Sequence, residues 1–352
     1  RELFILMFLQ MQNSENDVTF KIEKFGISRT AWRFFVLALF ALLAIAGLFL
    51  SLTKGSLDIK VEQIIAILQS PQMDAQSQII WNIRLPRTIV GAFVGINLAI
   101  SGAILQAVMR NPLADPHIIG ISSGAGLAGV TVMILFPHMD YLITPIAFLG
   151  AMAAAVCIYI LAWKNGIKPV RNILAGVAVS AFLGAGISGL MIFYSDRVHG
   201  ALMWMVGGLA ARSWPHVGII LPYAIIGLIL ALVCANYLNI LQLGDEMARG
   251  LGLNVEVVRI AMTAVAALLA ASAVSVAGLL GFVGLIVPHA ARLLIGSDYR
   301  FLLPASALLG IGVVTLSDTL ARTMFSPVEL PVGIIMAALG APFFLFLLRR
   351  EI

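Results

Sequence analysis

Charge is scarce in this 352-residue chain. Asp, Glu, Lys and Arg make up 11% of it, against about a quarter of an ordinary soluble domain. With 61% hydrophobic residues, the composition excludes a soluble globular class and predicts a polytopic membrane protein. The net charge of +5 is spread between apolar runs rather than gathered on one segment, so nucleic acid is not expected as a partner. Cysteine is nearly absent. Cys157 and Cys234 both lie inside apolar runs without metal-ligand spacing, and read as small packing side chains. The five histidines include no pair at a ligating spacing, so no metal site is expected. No Ser/His/Asp or Cys/His set supports catalysis, so the chain does not read as an enzyme. A Gly-Lys dipeptide is missing throughout, which excludes a phosphate-binding loop of the G-x-x-x-x-G-K-[ST] type.

What is present is a series of long apolar runs. A bilayer core of ~30 Å needs ~20 apolar residues as helix. Ten runs come near that: 34–52, 88–108, 118–136, 142–163, 173–194, 217–238, 260–280, 282–295, 301–321 and 332–348. None alternates like a membrane barrel strand, so all are expected to be helical. The seventh and eighth follow almost without a break, and Gly281 and Gly284 are expected to mark a tight turn. "HGALMWMVGGLAAR", between the fifth and sixth, is too short to span and reads as a re-entrant or surface helix. Residues 1–10 are apolar but too short to span. They are set aside, with Met11 as the natural start, which leaves an N-terminal cytoplasmic segment (1–33) and a membrane domain (34–352). Spans two to five and seven to ten are equal in number and enter in opposite senses, as an inverted repeat requires.

Threading ten spans with the N-terminus inside puts Lys54, Lys60, Arg84, Arg87, Arg197, Arg212 and Arg322 outside. The other 15 of the 22 Lys and Arg residues lie inside. Both termini are then cytoplasmic. Arg84 and Arg87, in "IWNIRLPRTIVGAFVG", run against that trend. Within the runs only Arg292 and Asp318 are charged, each near an end. An ion-coupled transporter keeps an ionisable group near mid-membrane and a voltage sensor an arginine ladder. Neither pattern occurs, so the energy for transport is expected to come from a separate chain. An ion-coupled secondary transporter without an ATPase is the alternative.

The longest polar stretch between later spans is "NILQLGDEMARGLGLNVEVVR" (239–259), inside by the threading. Asp245 and Glu246 suit the first turn of a short helix, and Gly250, Leu251 and Gly252 its stop. Such a helix-turn-helix fits a groove in a partner, or is an ordinary solvated loop. "RNPLADP" (110–116) places Asn111 and Asp115 before prolines, which predicts a kinked connector.

"GDEMARGLG" in such a loop resembles the coupling segment of the FecCD-like permeases, the membrane subunits of type II iron-siderophore, haem and cobalamin ABC importers. "RLPRT", "AISGAILQAVMRNPLADPHIIGISSGAG", "NILAGVAVS", "GLLGFVGLIVPHAARL", "LLPASALLGIGVVTLSDTLAR" and "ELPVGIIMAALGAPFFLFLL" follow in the family's order. The resemblance implies ten helices per permease in a bacterial cell membrane and a second permease, as a homodimer or a related chain. It also implies two ATP-binding subunits that carry ATP and Mg, and an external substrate-binding protein. By the same resemblance Arg84, Arg87 and Arg322 meet acidic residues of that binding protein; anchoring to lipid or internal pairing, as between Asp318 and Arg322, is the other reading. Asp245, Glu246, Arg249, Gly250, Leu251 and Gly252 would form the ATPase coupling loop. Asn111, Leu113, Lys168 and Pro169 would flank a cytoplasmic gate. Gly176, Ser180, Gly184 and Ser188 of span five, with Gly333 and Gly340 of span ten, would line the pathway or serve close packing.

Overall fold

Helix α3, Ala75–Met109, is the axis around which the chain is arranged. The computed structural model describes residues 28–55, 59–69, 74–117, 120–163 and 169–351. All its regular elements are helices: α1 Arg29–Thr53, α2 Val61–Gln69, α3, α4 Ile121–Leu135, α5 Ile143–Ala162, α6 Pro169–Phe193 and α7 Val198–Val206. They continue with α8 Trp214–Val233, α9 Ala235–Gln242, α10 Asp245–Gly250, α11 Val255–Ala277, α12 Val283–Ile295, α13 Tyr299–Thr323 and α14 Val332–Glu351. Seven have the length and apolarity to cross a bilayer: α1, α3, α5, α6, α8, α11 and α13. Three more, α4, α12 and the Val332–Leu345 part of α14, are apolar but shorter. The expected runs fall on these helices in order, each on one helix except the sixth. The chain is an integral membrane protein. Residues 1–27 and Lys168 lie outside the described residues.

Three boundaries differ from expectation. Helix α3 begins well before residue 88, so Arg84 and Arg87 lie within a helix rather than ahead of one. Its stretch Ile79–Arg84 is π-helical, with the Leu85 N–H bonded to the Ile80 carbonyl. The wider turn accommodates Pro86, which has no N–H and crowds the preceding turn of an α-helix. The sixth run breaks at Cys234 into α8 and α9. The turn between α11 and α12 spans residues 278–282 and so includes Gly281, but its positive-φ positions are Gly278 and Phe282, and Gly284 falls beyond it. Gly278 lies against the Trp204 carbonyl, where a Cβ would collide. Gly284 lies inside α12.

Packing follows from the small residues of α3. A Cβ on Gly95 would collide with the Gly310 carbonyl of α13, and one on Gly102 with the Gly284 carbonyl of α12. Close backbone approach replaces the hydrophobic drive that helices lose in lipid. Polar contacts add to it. Asn97 Nδ2 donates to Ser272 Oγ at 2.8 Å, and Ser101 Oγ to the Ala266 carbonyl at 2.7 Å, both on α11. Most of the apolar stretch of α3, α11 and α13 is buried as a result, and almost none of α6. At one end Asp298 caps α13, receives Asn239 Nδ2 of the α9 turn at 2.9 Å and pairs with Arg33 of α1 at 3.4 Å. Hydrogen bonding from Arg300 pulls its carboxyl down to about 2.

This packing sets two expectations. Gly102→Val is expected to destabilise the protein by about 3 kcal/mol, as overpacking does in tight cores, read as a lowered unfolding midpoint in detergent. Because the carboxyl pKa is depressed on folding, the stability Asp298 contributes is present above the ordinary carboxylate range and lost as pH falls toward 2. The midpoint difference between wild type and Asp298→Asn is expected to shrink on acidification, and a constant difference would refute the assignment.

Candidate functional site

Two charged clusters lie along α3, one about a third of the way from its start and one just past its last residue. From Arg87 to Arg110 the helix rises about 35 Å, at 1.5 Å per residue.

In the first cluster Arg84, Arg87 and Arg322 converge. They are 4%, 6% and 5% exposed, so none presents its charge freely. Arg84 and Arg87 are three apart and share a face of α3. Arg87 grips Asp318 of α13 with two parallel bonds, Nε to Oδ2 at 2.9 Å and Nη2 to Oδ1 at 3.0 Å. Its Nη1 donates to Glu329 Oε2 at 2.8 Å. Arg84 Nη1 donates to the carbonyls of Leu52 and Thr53 at 2.8 and 2.9 Å. Arg322 Nη2 donates to the Ser51 carbonyl and, at 3.1 Å, to Ser51 Oγ. The last carbonyls of α1 have no partners within their own helix, and α1 has no basic residue in its last turn. Guanidinium groups from α3 and α13 satisfy them and face the negative end of its dipole. The expected pair between Asp318 and Arg322 is marginal at 4.0 Å, because Arg87 takes the carboxylate in its bidentate fork.

In the second cluster, Asp245 opens α10 and Asp245 with Glu246 occupy its first turn. The carboxylate receives Arg259 Nη2 of α11 at 2.9 Å and lies 3.5 Å from Arg110 Nη2, at the end of α3. The hydrogen bond from Arg259, with the charges of Arg259, Arg110 and Arg249, outweighs burial and lowers its pKa. Arg249 pairs with Glu256 at 2.8 Å. Leu243, Met247 and Leu251 stay exposed, as do Glu246, Gly250 and Gly252, so the knob carries an apolar tip. Asn111 and Leu113 follow Arg110 directly. Asn111 Oδ1 accepts the Leu113 N–H at 2.9 Å, and Asp115 Oδ1 the His117 N–H at 2.7 Å. These two side-chain turns build the kinked connector, and burial pushes the Asp115 carboxyl up. Pro169 starts α6, whose Asn172 Nδ2 lies 3.7 Å from Met109 Sδ. Asp245 of α10, Asn172 of α6 and the Asn111–Leu113 connector thus lie next to the end of α3.

The small residues divide. Gly120, left-handed at φ 93°, is packed by the Gly176 carbonyl and Ser180 Oγ of α6. Gly184 faces open space and Ser188 is exposed. Gly340 packs against the Phe282 ring and Gly333 against the Val206 carbonyl. Gly333 also borders a cavity of about 520 Å³ with Asp115, Met205 and Phe282.

Residues 38–350 match the FecCD transport family. The chain belongs to that family. The Fe(3+)-citrate import system permease protein YfmD of Bacillus subtilis is 39% identical over 316 residues, covering 90% of this chain and 94% of that protein. The cobalamin import system permease protein BtuC of Halobacterium salinarum is 45% identical over 289 residues, covering 82% and 78%. A solved inward-facing structure of a metal-chelate type ABC transporter superposes with a TM-score of 0.80 at 30% identity, covering 90% of this chain and 99% of that one.

In this FecCD-family chain, the family's motifs point to Arg84, Arg87, Arg322 and Asp245 but not to the groups they touch. Ser51, Glu329, Arg110 and Arg259 lie on other elements. Glu329 opens the "ELPVG" motif, the one available signal. Removing one member of a buried pair leaves an uncompensated charge, at about 3–5 kcal/mol. Asp318→Ala is therefore expected to destabilise strongly. Arg87→Met with Asp318→Leu should recover most of that loss; a double variant as unstable as the sum of the singles would show that the pair is not coupled.

Proposed function

We propose that this chain is the permease subunit of a binding-protein-dependent ABC importer. It would move a ferric siderophore, or haem or cobalamin, into the cytoplasm by ATP-driven alternating access. The observation that carries this reading is the exposed apolar knob of α10, tied through Asp245 to both Arg110 and Arg259. A push on that knob reaches α3 and α11, the buried helices, and the Asn111–Leu113 connector joined to Arg110. Family membership and the relatives' roles as import permeases support the same reading.

In this proposal the arginine end faces outward and both termini lie in the cytoplasm of a bacterial cell. Two ATPase subunits hold ATP and Mg and seat on Asp245, Glu246, Arg249, Gly250, Leu251 and Gly252. An external binding protein docks over the end that holds Arg84, Arg87 and Arg322. Their hydrogen bonds are made internally and Asp318 and Glu329 offset two of the three charges, so they act on acidic partner groups through the remaining positive charge rather than as free contacts. A second permease covers the exposed apolar face of α6, and the pathway runs past Gly184 and Ser188, with Gly333 and Gly340 supporting α14.

Reconstituted vesicles test this. ATP-driven uptake is expected only when the partner ATPases are present. Uptake by this chain alone under a proton gradient would sink the proposal. Met247→Asp with Leu251→Asp, at exposed positions, is expected to leave the unfolding midpoint unchanged and to reduce ATPase binding at least about 10-fold, since it puts carboxylates in an apolar contact. Unchanged binding would remove the knob from the interface.

A further inference from the structure

Arg212 is the cation that the arginine cluster leaves over. It lies in the turn before α8, outside the crossing helices, with its backbone N–H bonded to the Leu209 carbonyl. Its Nε is buried with no hydrogen-bond partner, and no carboxylate of the described residues pairs with it. The adjacent Arg87 is committed to Asp318 and Glu329. Burial and the Arg87 charge push Arg212 down to about 10, so it is still cationic at neutral pH. A half-buried cation beside a second cation is unfavourable until an anion reaches it.

Arg212 borders a cavity of about 860 Å³, within the size range of small-molecule sites. Tyr141, Met203, Trp204 and Pro331 give it apolar and aromatic walls; Arg197 also lines it but is held by Asp196 and the Ile134 carbonyl. Its acidic lining groups are Glu329, held by Arg87, and Asp140, which is exposed. Flat apolar walls with an uncommitted guanidinium suit a compact ligand that is bulky and negatively charged.

We propose that this cavity receives a carboxylate-bearing ferric chelate on entry, with Arg212 pairing with one of its carboxylates. This rests on the reading of the cargo as a metal chelate and narrows it to an anionic class. The full-length chain in detergent can be dialysed against radiolabelled ferric citrate, a neutral ferric trihydroxamate, or iron-free citrate. Wild type is expected to bind ferric citrate, and Arg212→Gln to bind it at least 10-fold more weakly, while the neutral chelate is indifferent to the substitution. Without ligand, Arg212→Gln should be at least as stable as wild type, because the uncompensated charge is gone. Equal binding of ferric citrate by both proteins would overturn the proposal, as would equal weakening for the neutral chelate. Iron-free citrate binding as tightly as the ferric complex would also overturn it, by assigning the site to free carboxylates. The measurement needs no ATPase, so its failure leaves the importer reading standing, whereas absent ATP-driven uptake with normal binding would remove only that reading.

Discussion

The bidentate contact between Arg87 and Asp318 holds one end of the bundle together. It joins α3 to α13, the helices that also touch through Gly95 and Gly310. Around it, Arg84 and Arg322 take the last carbonyls of α1. In lipid an unsatisfied backbone carbonyl has no water to turn to. Guanidinium groups are suited to that position, because several N–H donors on one rigid plane reach two helices at once. The end of α1, the start of α3 and the end of α13 therefore stand or fall as a unit.

The opposite end uses the same chemistry with looser geometry. Asp245 is about one-third exposed at its side chain, and its contact with Arg110 is 3.5 Å. A surface pair of this kind is weaker and more readily rearranged than a buried one. One helix, α3, thus carries a fixed charged clamp about a third of the way along and an adjustable one just past its last residue. That asymmetry suits a lever that pivots about the arginine cluster while its far end is moved.

Much of this architecture is legible in the amino-acid order. The ten apolar runs fall in order on helices, the sixth alone split in two, because the length and polarity a bilayer demands are written locally. The kink of "RNPLADP" and the short helix of "GDEMARG" are also readable, since pre-proline restriction, side-chain turns and dipole preference act within a few residues. The turn at Gly278 and Phe282 is not, because several glycines compete there and only the Trp204 carbonyl decides which must be left-handed. The small residues of α6 and α14 are ambiguous because packing and pathway-lining need the same side chains.

The sequence by itself determined the class of protein, the family and which residues carry charge, for those depend on composition, spacing and motif order. Only the tertiary structure decided what each charge faces. Arg87 and Asp318 are 231 residues apart, Arg110 and Asp245 lie on different elements, and Arg212 has no carboxylate partner among the described residues. Pairing across helices depends on crossing points set by backbone contacts such as Gly102 against Gly284. No local pattern encodes those, since a glycine specifies how closely a neighbour can approach but not which neighbour it will be.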